Sequence, residues 1–259
     1  MAIKKGKAMV VFSTKGGVGK TFFTINLAGV YSFLKKRVLI IDLDLFSGGI
    51  ALALDINQKK DVYTLVDDLN NNRYTKFNDY VIKYNEEIDI LPCPKDPRLG
   101  SKIEKKYIEI IMAQAIDNYD VVLFDTSHSF NDINLTVLDK ADNIILLLTN
   151  DPIGVKNMKS LISIFRDTEK ANYITILNNA TRKNKDIFSL FDIKNIIRNN
   201  VDWIISNAFY FKDIDRWLIR GEIPLLNKKI QRSRKLDFER YKKIALNLIK
   251  EEKGIFKNE

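Results

Sequence analysis

The chain has 259 residues, 46% of them hydrophobic, and a formal net charge of +9. That length suits one large α/β domain, 1–259, and the composition excludes a disordered chain. The single cysteine, Cys93, excludes a disulfide framework and a zinc or iron–sulfur site built within one chain, and fits a reducing, cytoplasmic setting. The charge is uneven: 19 Lys and Arg stand against 11 Asp and Glu from Arg182 onward, and 23 against 22 before it. This reads either as the Lys-, Asn- and Ile-rich usage of an AT-rich genome or as a basic surface for an anionic partner. The apolar run near the N-terminus is too short for a signal peptide, and no stretch approaches a membrane span.

A short apolar strand is expected over Ala8–Ser13. It leads into Lys15-Gly16-Gly17-Val18-Gly19-Lys20-Thr21 and then a helix over Lys20–Leu34. Strand, glycine loop and helix in that order are the setting of a P-loop. The glycines turn backbone N–H groups onto phosphate oxygens, and the helix N-terminus adds its dipole. Gly16, Gly17, Val18, Gly19, Lys20 and Thr21 therefore read as a cradle for ATP. Lys20 reaches the β- and γ-phosphates and the Thr21 hydroxyl ligates Mg²⁺. Thr14 departs from the general pattern, which places glycine five positions before Gly19.

The second strand, Arg37–Asp42, runs into Ile41-Asp42-Leu43-Asp44. Alternate residues face one side, so Asp42 and Asp44 read as a phosphate-facing pair or as a strand-end capping pair. Further strands are expected over Ile88–Leu91, Val121–Asp125, Asn143–Leu148, Tyr173–Leu177 and Trp203–Ile205. Helices are expected over Ile103–Ile116, Asp151–Arg166, Asp213–Ile219 and Leu236–Glu252. The last carries a packing stripe of Phe238, Tyr241, Ile244, Ala245, Leu248 and Ile249. Near-continuous apolar strands alternating with helices predict an α/β fold: a mainly parallel twisted sheet flanked by helices on both faces. Ligands bind such sheets at the carboxyl ends of the strands, where the chemical residues fall. Val121-Val122-Leu123-Phe124-Asp125 is an apolar strand ending in an acid, a Walker B reading in which Asp125 holds Mg²⁺ through water. His128, the only histidine, is placed to sense phosphate or pH.

With Lys15 ahead of the paired glycines, the loop resembles the deviant Walker A motif of the ParA/MinD family of P-loop ATPases. The resemblance runs from about Val10 to Lys229. It implies an ATP-state homodimer in which Lys15 reaches the partner's nucleotide, Asp44 orients the attacking water, and Asp42 lies near Mg²⁺. Ser47-Gly48-Gly49 takes the place of the first switch loop. Thr126-Ser127-His128-Ser129 replaces the family's prolines in the second. Asn178, ending the strand Tyr173–Leu177, matches an asparagine that reads adenine in relatives; a plain turn asparagine is the alternative.

Three stretches look like the CpaE/TadZ pilus-assembly branch: Gly49-Ile50-Ala51-Leu52-Ala53-Leu54-Asp55, Ile90-Leu91-Pro92-Cys93-Pro94-Lys95-Asp96-Pro97, and Leu135-Thr136-Val137-Leu138-Asp139-Lys140-Ala141-Asp142. They imply a slowly hydrolysing switch that positions a protein cargo and is recruited to a pole or the inner membrane surface. One alternative is a ParA-like partition ATPase. Lys228, Lys229, Arg232, Arg234, Lys235, Arg240, Lys242 and Lys243 stand against Asp237 and Glu239, as a non-specific DNA surface or as a solvated helix face. Another is a metabolic ATP-dependent enzyme. The tail Glu251–Glu259 has two large apolar residues, Ile255 and Phe256, too few for stable direct membrane binding.

Overall fold

The computed structural model describes residues 5–181, 187–211, 217 and 220–250. Its strands are β1 (Lys7–Phe12), β2 (Val38–Leu43), β3 (Ile82–Lys83), β4 (Ile88–Leu91), β5 (Val121–Thr126), β6 (Asn143–Leu148), β7 (Tyr173–Asn178) and β8 (Trp203–Ile205). They form one sheet in the order β3-β4-β2-β5-β1-β6-β7-β8, parallel throughout except for the β3–β4 pair. The helices are α1 (Lys20–Phe33), α2 (Ile50–Ala53), α3 (Val62–Asn70), α4 (Pro97–Gly100), α5 (Lys105–Asn118), α6 (Asp132–Lys140), α7 (Pro152–Asp167), α8 (Leu190–Ile197), α9 (Lys228–Ser233) and α10 (Lys235–Leu248).

Both faces of the sheet are covered, and the strand sequences show why. In β1, Ala8, Val10 and Phe12 enter the core beneath α3, α5, α6, α7 and α8, while Met9 and Val11 enter the core beneath α1 and α10. A strand buried on both sides has no polar face, so its apolar run is continuous rather than alternating. The α1–α10 layer is tied by the buried Tyr31, whose hydroxyl donates to the Ala245 carbonyl at 3.0 Å. Gly29 lets the loop after Gly221 lie close: a Cβ there would stand 2.6 Å from Ile223 Cγ2.

The parallel sheet with helices on both faces is the expected architecture, and the strand positions agree to within one residue at each end. The edge strand β3 was not anticipated. Two residues paired antiparallel to β4 are too short for a periodic signal. The final helix ends at Leu248. Of the helix expected over Asp213–Ile219 only Trp217, which is helical, is among the described residues, and the tail from Glu251 lies outside them. Among the described residues, no helix is long and apolar enough to cross a membrane.

Sheet order positions the site. β1 lies between β5 and β6, so the chain first builds β2 and β4 to one side and later β6 to β8 to the other. The carboxyl ends of β1, β2 and β5 therefore meet at a topological switch point, the place where such sheets bind ligands.

Candidate functional site

The loop leaving β1 wraps over the N-terminus of α1. Gly17 and Gly19 take left-handed φ values of 73° and 88°, a region that side chains with a Cβ rarely adopt. Gly19 caps α1 without any side-chain acceptor, so the first-turn N–H groups of a 14-residue helix remain open to an anion. Around the Gly17 Cα there is nothing within 4 Å of where a Cβ would stand. Lys20 is buried, and its ammonium donates to Ser13 Oγ at 3.2 Å. Burial lowers its pKa, against the pull of Asp125 and Asp44.

Asp42 and Asp125 are register partners on the adjacent strands β2 and β5, and both are buried. Burial pushes the Asp42 carboxyl well above the carboxylate range, and the neighbouring Asp125 charge adds to this. Burial raises Asp125 as well, against hydrogen bonds from Thr21 and Thr24 and the charge of Lys20. Thr21 Oγ1 donates to Asp125 Oδ2 at 2.6 Å, and Thr24 Oγ1 to Asp125 Oδ1 at 3.2 Å. Asp42 holds the loop that follows it: Oδ1 accepts from Asp44 N and Oδ2 from Ile50 N, both at 3.1 Å. The Asp44 carboxylate is half-buried and accepts no hydrogen bond among the described residues.

These residues fit Mg²⁺. The described residues contain no cluster of three or more His, Cys, Asp or Glu placed to hold a metal. Mg²⁺ does not require one: it keeps waters and takes one or two protein oxygens beside phosphate oxygens. A hydroxyl, Thr21, bonded to a buried carboxylate, Asp125, is such an oxygen set, and a cation there relieves two crowded acids.

Lys15 is held by an acid from the far side of β6 in sequence, Asp151. Its ammonium is bound at 2.8 Å by Asp151 Oδ1. Asp151 also caps α7, accepting from Gly154 N at 2.9 Å, and accepts from Thr149 Oγ1 at 2.6 Å. Burial alone would raise its carboxyl; hydrogen bonds from Lys15, Thr149 and Gly154 hold it below its ordinary value. Asp151 was missed as a site residue. Asp151-Pro152 announces a helix start, but nothing local says that the capping acid meets a loop 136 residues away in sequence.

Asn178 ends β7 beside the P-loop. Its Nδ2 donates to the Val18 carbonyl at 2.9 Å and its Oδ1 accepts from Ala180 N at 3.1 Å. Both amide atoms are engaged with protein, which makes Asn178 a brace on the loop; reading adenine requires it to release one of them. The chain thus brings Lys15, Lys20, Thr21, Asp42, Asp44, Asp125 and Asn178 to one end of the sheet. Beside them lies His128, whose ring stands 3.7 Å from where a Gly16 Cβ would be.

Comparison with known proteins agrees with this fold. The AAA_31 family model, described as AAA domain, matches residues 6–180. The chromosome-partitioning ATPase Soj of Thermus thermophilus is 23% identical over 232 residues, covering 87% of this chain and 88% of Soj. A ParA family ATPase from Chlorobium tepidum superposes with a TM-score of 0.77 at 18% identity, covering 94% of this chain and 99% of its own. The septum site-determining protein MinD of Pyrococcus horikoshii, solved with Mg-ADP, gives a TM-score of 0.76 at 18% identity, covering 95% and 96%. With the family match spanning more than half of the chain and the sheet order placing a phosphate cradle beside paired acids, the chain belongs to the AAA_31 family as a P-loop ATPase of the ParA/MinD type.

Proposed function

We propose that this chain is an ATP-gated dimeric switch that positions a cellular cargo. The observation that carries this reading is Lys15. A lysine beside the phosphate cradle is paired with Asp151 in the single chain, and on release from that pair its charge can serve a second site. In this scheme Lys20 and the open first turn of α1 bind the phosphates. Thr21 and Asp125 hold Mg²⁺, which neutralises charge on the phosphate oxygens. Asp44, with its carboxylate uncommitted, orients the attacking water. Asp42 keeps the loop from Asp44 to Ile50 in place. Lys15 from the partner supplies a cation that is useful only while the terminal phosphate is present.

Sedimentation with Mg²⁺ and ATP tests this. Lys20→Ala should lose ATP. Lys15→Ala should bind ATP and stay monomeric. Asp44→Ala should bind ATP and accumulate dimer. Equal dimerisation of wild type and Lys15→Ala removes the reading.

Sequence resemblance to the CpaE/TadZ branch points to a pilus- or secretion-type assembly as cargo, with slow turnover and a protein partner at a pole or membrane surface. One structural observation favours a second reading, partition on DNA. Of the eight bases between Lys228 and Lys243, Lys228, Lys229, Arg232, Lys235 and Lys243 are exposed. Only Arg240 and Lys242 are in ion pairs among the described residues, with Asp237 and Glu239. Such a surface suits phosphate neutralisation without base reading. ATP-dependent duplex binding that is lost in an Arg232/Arg234/Lys235→Ala variant selects partition; its absence at low salt selects a protein anchor.

A further inference from the structure

His128 lies three positions after Asp125 and is the only imidazole in the chain. It is exposed, and its Cε1 and Nδ1 lie 3.7 Å from where a Gly16 Cβ would stand. The ring thus lies beside the phosphate loop at Gly16, the residue that follows Lys15. Its neighbours are committed: Ser127 Oγ and Ser129 Oγ share a hydrogen bond at 2.8 Å, and Asn134 Nδ2 donates to Ser127 Oγ at 2.8 Å and to the Ser129 carbonyl at 2.7 Å. The imidazole makes no hydrogen bond among the described residues.

The anchor of this loop is one bond short. Asn134 lies in the first turn of α6 and is fully buried, and its Oδ1 is without a hydrogen-bond partner. A buried acceptor left unpaired is unfavourable. A small shift of Ser127–Ser129 that turns a hydroxyl donor onto Oδ1 relieves it. His128 is the member of this loop that lies beside Gly16 of the phosphate loop.

We infer that His128 determines how the site distinguishes triphosphate from diphosphate. An imidazole N–H bonds the terminal phosphate, and the accompanying movement of Ser127–Ser129 satisfies Asn134 Oδ1, so the N-terminus of α6 follows the nucleotide state. This rests on the ATP-site reading above and adds to it the residue that replaces the family's usual loop chemistry.

A single histidine makes the test direct. The full chain, labelled with ¹³C and ¹⁵N, gives one imidazole Cε1–H correlation. It should move on adding Mg²⁺ with the non-hydrolysable triphosphate AMP-PNP and stay near its free position with Mg-ADP. The Asn134 side-chain amide correlations should move with it. The same shift should persist in Lys15→Ala; its loss there would make it a consequence of dimerisation and overturn the contact. In direct binding titrations, His128→Ala should weaken AMP-PNP about tenfold, the usual worth of one hydrogen bond to a charged group, and leave ADP unchanged. His128→Asn, which keeps an N–H donor, should recover most of the loss. Binding of both nucleotides with one His128 shift, or equal weakening of both, overturns the inference alone. Failure of AMP-PNP to bind wild-type protein overturns the ATP-site reading with it.

Discussion

At the scale of single residues, Asp151 does two jobs that mutation can separate. It caps α7 and it binds Lys15. Asparagine caps a helix as well as aspartate does, but carries no charge to hold an ammonium. Asp151→Asn should therefore keep its melting temperature near that of wild type, since a partly exposed ion pair contributes only about 0–1 kcal/mol. It should dimerise at lower protein concentration in the presence of ATP, as read by sedimentation. Asp151→Ala removes the cap as well and should lose about 1 kcal/mol in thermal or urea unfolding. If Asp151→Asn dimerises no more readily than wild type, the ion pair does not restrain Lys15.

At the scale of elements, the loop joining β2 to α2 is defined by what cannot be added to it. A Cβ on Gly48 would collide with Cys93 Sγ and stand 2.6 and 2.9 Å from the Asp42 carboxylate oxygens. Gly48→Ala should destabilise the fold by about 1–3 kcal/mol through overpacking and weaken Mg-nucleotide binding together with it. Gly16 is the contrast. Its φ is not left-handed and a Cβ would meet only His128, at 3.7 Å. Gly16→Ala should therefore melt within about 0.5 kcal/mol of wild type. Thermal denaturation of both variants with and without Mg-ATP checks the pair.

The same elements show what was legible beforehand. Strands β1, β2 and β5 stand out because burial on both faces demands continuous apolar residues, and the P-loop stands out because Gly16, Gly17 and Gly19 fall within four positions. α3 gives a weaker signal: it is short, with Val62, Leu65 and Val66 buried, and begins at a capping Asp61. The Lys15–Asp151 pair, the Asn178 brace on Val18 and the contact of Cys93 with the Gly48 loop were not legible. Each joins segments far apart in sequence, which only the sheet order brings together.

At the scale of the molecule, the positive charge is concentrated toward the C-terminal third of the chain, and much of it lies on α9 and α10. If this surface binds DNA, each neutralised phosphate lowers log K by about 0.9 per unit of log salt. With five exposed bases per protomer, the slope should be on the order of −4 for a monomer and about twice that for a dimer bound through both patches. Titration of duplex DNA at several salt concentrations, with ATP and with ADP, measures it; a flat salt response removes DNA as the anchor.

The ion pair that retains Lys15 also bears on how association scales with the amount of protein. Each proposed dimer draws on two such lysines, so the fraction of chains with Asp151 disengaged enters the apparent dissociation constant as its square. A pair open about a fifth of the time, which takes about 0.8 kcal/mol, raises the concentration needed for half-assembly about twenty-five-fold. Whatever competes for Asp151, or for the N-terminus of α7 that it caps, would then set a threshold in copy number below which ATP-loaded chains stay single.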